Sequence, residues 1–247
     1  MMTALGALLL ALTDAGVLVQ DAAQDMLRKI HQLQRELGSI ETVAKTLIFA
    51  STQALSFTFF PEWFSRTGGG VGVHLLADNM EACEQIMQEG SAHFLLCHTH
   101  PAAEMTINGD RFRRRTIATD QPLPVAAPDV YGTTLLHTSK ADIQLLSFDE
   151  RSGLGRILSA GLGEKLARLN LRPVFTSHVA MALRTMAIEG KGIAWLPMRL
   201  VSEDIAAGKL MPLEGTEWLL DLLITLIRPQ ARLSPLAEGF WSSLGHV

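Results

Sequence analysis

Cys97-His98-Thr99-His100, with His93 just upstream, brings together residue types that bind transition metals or activate a nucleophile. On an extended strand His98 and His100 share one face and Cys97 takes the other. A zinc site needs three or four converging ligands, and no C-x-x-C, H-E-x-x-H or carboxylate partner stands at a recognisable spacing. A thiol nucleophile needs a nearby base and a group that orients it, and no local signature supplies either. The cluster therefore reads as pocket lining or as histidines satisfied in the core, with no metal, no cofactor and no catalytic residue. Nucleotide and acyl-transfer motifs are missing as well. No G-x-G-x-x-G follows a strand, neither G-x-x-x-x-G-K-S/T nor G-x-S-x-G occurs, and Gly153-Leu154-Gly155-Arg156 is too short for a phosphate loop.

Non-covalent recognition of a small molecule is better supported. In open α/β sheets, ligands sit beyond the carboxyl ends of the strands, where helix N-termini present free N–H groups and a positive dipole end. Four segments place hydroxyl, imidazole or small residues at such ends: Ser51-Thr52, His98-Thr99-His100, Arg151-Ser152-Gly153 and Ser177-His178. Any one of them reads as an ordinary helix cap. Their recurrence in both halves of the chain points to a cleft between two lobes that holds a small polar or anionic molecule.

The elements that must position these groups follow from periodicity and turn residues. Residues 47–50 are a β-rich run that breaks at Ser51-Thr52-Gln53 into one apolar helical segment, residues 55–64, closed by Gly68-Gly69-Gly70. Residues 71–77 read as a strand, Asp78 or Asn79 caps a helix that ends before Gly90, and residues 93–97 are the next strand. The same grammar restarts beyond the proline-containing stretch 122–128. Strands are expected at 143–147, 173–176 and 192–196 and helices at 152–169 and 179–189, with a β-forming run at 219–227 before a last helix, 235–244. Alternating strands and helices predict two α/β lobes with mostly parallel sheets. Ahead of them, Val19, Ala23, Met26, Ile30, Leu33 and Leu37 form a heptad seam on a helix over residues 17–37, stopped by Gly38. Such a seam needs a cover, either a second chain or the same one.

Composition agrees with a globular chain. With 247 residues, 48% hydrophobic and 19% charged, the chain can bury a sizeable core, and its net charge of −4 argues against a broad nucleic-acid surface. The basic run Arg111 to Arg115 reads as a solvated loop or strand edge. No stretch reaches the roughly 18 apolar residues of a membrane span. Residues 1–12 lack both the basic flank and the cleavage pattern of a signal peptide. Two cysteines make no disulfide scaffold, so a reducing cytoplasm is the expected compartment.

Leu12-Thr13-Asp14-Ala15-Gly16 before the long helix resembles the L-T-x-A-G end of the winged helix-turn-helix of LysR-type transcriptional regulators. Asp78-Asn79-Met80-Glu81 with Gln88-Glu89-Gly90, and residues 190–197 (GKGIAWLP) followed by 203–210 (EDIAAGKL), are similar to runs of that family's effector domain. The resemblance spans about residues 12–247. It implies two Rossmann-like lobes of the periplasmic-binding-protein type II kind behind an amphipathic linker helix. Residues 1–16 would be a remnant of the winged helix-turn-helix and 17–38 the linker and dimerisation helix. Residues 43–127 with 219–247 would form lobe I and 128–218 lobe II, hinged near 125–127 and 219–225. The positions matching the family's effector contacts are Ser51, Thr52, His98, Thr99, Ser177, His178 and Trp195. The implied partners are a small effector and further copies in a homodimer or homotetramer, with DNA reached only through a missing N-terminal domain. A periplasmic-type solute receptor and an enzyme using Cys97 or the histidines are the rival readings.

Overall fold

The computed structural model describes residues 13, 16, 19–20, 22–23, 25–27, 29–30, 46–107, 109–128, 136 and 142–244. Strand β1 (Thr46–Thr52) carries Leu47 and Phe49 on one face and Ala50 on the other, all buried, so it can only be an interior strand. It lies between β2 (Gly72–Asp78) and β3 (Phe94–Thr99), parallel to both. β10 (Leu222–Pro229) then runs antiparallel between β3 and the edge strand β4 (Phe112–Asp120), giving the order β2-β1-β3-β10-β4.

The second lobe repeats this order. β6 (Ile143–Phe148) pairs in parallel with β7 (Leu171–Ser177), while β5 (Pro122–Ala126) is antiparallel to both β8 (Ala194–Pro197) and β9 (Met211–Pro212). Leu146 N–H donates to the Ile193 carbonyl at 2.8 Å and Ile193 N–H to the Gln144 carbonyl at 2.9 Å. These two bonds join the pieces in the order β7-β6-β8-β5-β9. In each sheet the fourth strand arrives from the other lobe, which is why it runs against its neighbours and why the sheets are mixed rather than mostly parallel. β5 belongs to the second sheet, so the first crossing falls at Gln121, a few residues before the hinge expected at 125–127. The return crossing lies between β9 and β10.

Among the described residues from 46 on, seven helices fill the faces. α1 (Gln53–Thr58) and α2 (Phe60–Thr67) replace the single helix expected over 55–64. Phe59 leaves helical geometry and Pro61, in the first turn of α2, has no N–H to continue the ladder. α3 (Met80–Gln88) follows β2, α4 (Gly153–Leu166) follows β6, and α5 (Ala180–Ile188) follows β7. α6 (Met198–Ala206) and α7 (Pro235–Ser243) complete the set. The core of lobe I is aromatic. Phe49 meets Phe60, Trp63 and Phe240 edge-on with centroids 5.1 to 6.2 Å apart, which fastens α2 and α7 to one face of the sheet. Met80, Cys83 and Met87 of α3 cover the other face.

Of the basic run, Arg111 ends a 3-10 turn and Arg113 to Arg115 lie on the edge strand β4, the second of the two readings the sequence offers. Its guanidinium groups tie that open edge down: Arg115 donates to the carbonyls of Trp241 and Leu244 and stacks on Trp241, and Arg113 donates to Gln230. At the other end of the chain, the described positions between 16 and 30 are helical, with Val19, Met26 and Ile30 of the seam exposed. Leu33, Leu37, Gly38 and most of the expected helix-turn-helix remnant lie outside the described residues.

Candidate functional site

Four strand-to-helix turns open into one cleft between the lobes. α1 and α3 contribute Thr52, Gln53, Ala54, Asp78, Asn79 and Met80 from lobe I; α4 and α5 contribute Ser152, Gly153, Leu154, His178 and Ala180 from lobe II; and His98 at the end of β3 completes the wall. The cleft holds a cavity of about 30 Å³ and opens to solvent. The first N–H groups of a helix have no partner inside it, so each of these ends presents donors and a partial positive charge. Asn79 accepts from Ala82 N–H at 3.0 Å and Ser152 from Gly155 N–H at 3.3 Å, each capping its own helix. Thr52 and Val179, at the starts of α1 and α5, make no such cap.

Charge in the cleft is held by two imidazole–carboxylate pairs. His98 Nε2 lies 3.1 Å from Asp120 Oδ2, and both side chains are buried. Burial alone would raise the Asp120 carboxyl. The hydrogen bond and charge of His98, with the N–H groups of Gln121 and Arg199, outweigh burial and hold it below the usual carboxylate range. His178 Nδ1 lies 3.4 Å from Asp149 Oδ2, which also pairs with Arg151 at 3.1 Å. Burial works against the Asp149 charge, but Arg151 and His178 keep its carboxyl below the usual range.

Three further contacts join the lobes beside the cleft. Arg156 of α4 donates to Glu84 of α3 at 2.8 Å, and the other oxygen of Glu84 accepts from Thr106 N–H at 2.7 Å. Gly153 sits so close to α3 that a Cβ built there would lie 3.2 Å from Cβ and Cγ of Met80. Arg199 of α6 reaches the Thr119 carbonyl at 3.4 Å and lies over the Phe59 ring.

Of the seven expected effector residues, Thr52, His98 and His178 line the cleft together. The other four do not. Ser51 is fully buried and donates to the Thr52 carbonyl, Thr99 Oγ1 lies 2.6 Å from Thr225 Oγ1, and Ser177 accepts from Val179 N–H. Trp195 fills the core of lobe II, edge-on to Trp218 and donating to its carbonyl at 3.2 Å. Of the Cys-His cluster, His93 accepts from Ile48 N–H at 3.0 Å and Cys97 is fully buried. Burial pushes the Cys83 thiol up to about 12 and raises the Cys97 thiol too, which leaves little nucleophilic thiolate at neutral pH. Among the described residues no three His, Cys, Asp or Glu side chains gather as a metal cluster. Nor is any helix there long and apolar enough to cross a membrane. Gln53, Asp120 and Glu84 were not read from the sequence. Gln53 had a local signal, since it ends the Ser-Thr-Gln break after β1, whereas the other two matter only through partners distant in the chain.

Two lobes of matching strand order that aim helix N-termini at a shared cleft define a ligand-binding domain of the periplasmic-binding-protein kind. Residues 41–247 match the LysR substrate binding domain, and the chain belongs to this family. It is similar to the HTH domain-truncated transcriptional regulator QseD of Escherichia coli O157:H7, 24% identical over 236 residues that cover 95% of this chain and 96% of the relative. It is equally similar to the HTH-type transcriptional regulator YjiE of Escherichia coli K12, 24% identical over 95% of this chain and 76% of that one. Among solved structures, the bromide-bound regulatory domain of HypT from Salmonella typhimurium superimposes with a TM-score of 0.69 at 22% identity, covering 84% of this chain and 97% of that domain. The chain is thus a LysR-type effector-binding regulatory domain, and its relatives are transcription regulators rather than enzymes.

Proposed function

We propose that the chain senses a small anionic effector held between its lobes and converts lobe closure into a changed arrangement of a homodimer or homotetramer, and so into control of DNA-dependent transcription. The observation that carries this reading is the convergence of helix N-termini from both lobes, with His98 and His178, on one cleft. A ligand that touches both walls binds the closed arrangement better than the open one and shifts the population toward it. The exposed seam of Val19, Met26 and Ile30 supplies a face for a second copy, residues 17–38 acting as linker and dimerisation helix. DNA would be contacted through a winged helix-turn-helix domain that these residues do not include, and the protein would work in the cytoplasm.

Thermal unfolding against a panel of small carboxylates, halides and oxoanions tests the cleft, because a ligand bound only to the folded chain raises the midpoint by mass action. The expected result is a concentration-dependent rise with one anion class that Thr52→Val and His178→Ala each reduce. A rise indifferent to both substitutions, or none with any anion, overturns the reading.

A further inference from the structure

Each imidazole in the cleft has one nitrogen committed to a carboxylate. Asp149, which follows β6, is wholly an acceptor: Oδ1 takes the Arg151 N–H at 3.0 Å, while Oδ2 takes the Arg151 guanidinium at 3.1 Å and faces His178 Nδ1 at 3.4 Å. An ionised carboxylate has no hydrogen to give, so the hydrogen between them belongs to Nδ1. Arg151 Nη2 also lies 3.5 Å from Nδ1, but the Asp149 oxygen is nearer and charged and takes that hydrogen bond. A neutral imidazole carries one N–H only. With it fixed on Nδ1, His178 Nε2 is a bare lone pair, and it has no hydrogen-bond partner among the described residues. His98 repeats the arrangement with its nitrogens exchanged, Nε2 lying 3.1 Å from Asp120 Oδ2. A lone pair repels an anion. Only the doubly protonated ring donates to an anion and to its carboxylate at the same time.

The charges around the cleft leave the same gap. Among the residues that line it or pair with its imidazoles, the carboxylates of Asp78, Asp120 and Asp149 face the single guanidinium of Arg151. The helix N-termini supply only partial charges against them. We propose that the cleft binds its anion together with a proton: as the anion enters, His178 takes a proton from solvent on Nε2, and the imidazolium donates to Asp149 through Nδ1 and to the anion through Nε2. This rests on the cleft being the effector site. Asp149 stays the acceptor throughout, its carboxyl held below the usual range, so the proton remains on the ring. His178 makes the change rather than His98 because its side chain is 25% exposed, whereas His98 is buried and charging a buried ring costs more desolvation. The domain therefore reads two things at once, the concentration of the anion and the acidity around it.

Isothermal titration of the whole chain with bromide, nitrate, formate and acetate between pH 6 and 8 tests this, each run in two buffers of different ionisation enthalpy so that the heat counts protons taken up. The expected result is an affinity that falls by at least about tenfold from pH 6 to 8, with uptake rising toward one proton per anion as the free ring becomes neutral. His178→Gln, whose amide donates at any pH, should flatten that fall to less than about twofold and take up no proton. Asp149→Asn should flatten it too. The asparagine amide donates to Nδ1 and frees the neutral ring to carry its hydrogen on Nε2, so affinity at pH 8 should rise above the parent's. Either variant serves if the other fails to fold. A level affinity with no proton taken up, or a full slope that survives in either variant, overturns the inference and leaves the anion cleft standing. Failure of all four anions at every pH removes the cleft reading and this inference with it.

Discussion

His98 and Asp120 join the interlobe cleft to the crossing between lobes. The imidazole lines the cleft, while Asp120 ends β4 one residue before the chain passes into lobe II at Gln121. The second oxygen of Asp120 accepts from Gln121 N–H at 2.8 Å and from the backbone N–H of Arg199 in α6 at 3.4 Å, so one carboxylate holds the crossing and the far lobe at once.

Replacing His98 by Ala should cost about 1 to 3 kcal/mol at pH 7, because it leaves a buried carboxylate short of a partner. Asp120 has a lowered pKa in the fold, so its contribution to stability is present above the usual carboxylate range and lost as pH falls through its folded value. The variant has less of that contribution to lose. Urea unfolding at pH 7 and near pH 3 should show parent and variant converging in acid, and a constant gap would count against the pairing.

Arg156→Gln should loosen the two lobes. Glu84 is buried and would keep only the Thr106 N–H, a loss on the order of 3 kcal/mol for a buried carboxylate deprived of its cation. Adding Glu84→Gln should recover part of it. A double-mutant cycle with coupling below about 0.5 kcal/mol would show that the pair does not hold the lobes.

Gly153→Ala puts a methyl group where α4 meets Met80 across the interlobe contact. The crowding opposes any closure that brings this contact nearer, and a cost of about 1 kcal/mol to that closure is roughly a fivefold loss of anion affinity. Titration calorimetry on both proteins measures the difference, and unchanged affinity would mean that binding leaves this contact open.

Acid should also attack lobe I through Glu238. Its bidentate hydrogen bonds from Arg228, at 2.7 and 2.8 Å, outweigh burial and hold its carboxyl at about 2, against an ordinary 4.5. The stability it lends is complete above pH 4.5 and is lost between there and 2. Glu238→Gln should unfold more readily than the parent at neutral pH and show a shallower acid dependence over that window, read by circular dichroism.

Much of this was legible along the chain because alternation and capping are local. β1 announces itself through Leu47 and Phe49, and Thr52 and His178 sit beside strand ends where an N-cap signal is visible in three or four residues. Trp195 could not be placed that way. β8 is buried on both faces, so period-two alternation does not say which neighbours its residues meet, and the tryptophan turns out to fill the core. The three arginines of β4 left its run readable as a loop or as a strand edge, because an edge strand can leave much of its length polar. Gln53 and Asp120 acquire meaning only from partners or cavities assembled by the whole fold.

β10 sits between β3 and β4, yet of the described strands it is the last to leave the ribosome. Until Pro229 has emerged, the sheet of lobe I has its inner edges unpaired, while lobe II, built entirely from intervening chain, already has every strand it needs. Synthesis therefore favours the C-proximal lobe first, and the earlier lobe must wait with apolar edges open to chaperones or to other chains. A chain cut at the second crossing would not yield two half-proteins: it would leave a finished lobe tethered to an unfinished one.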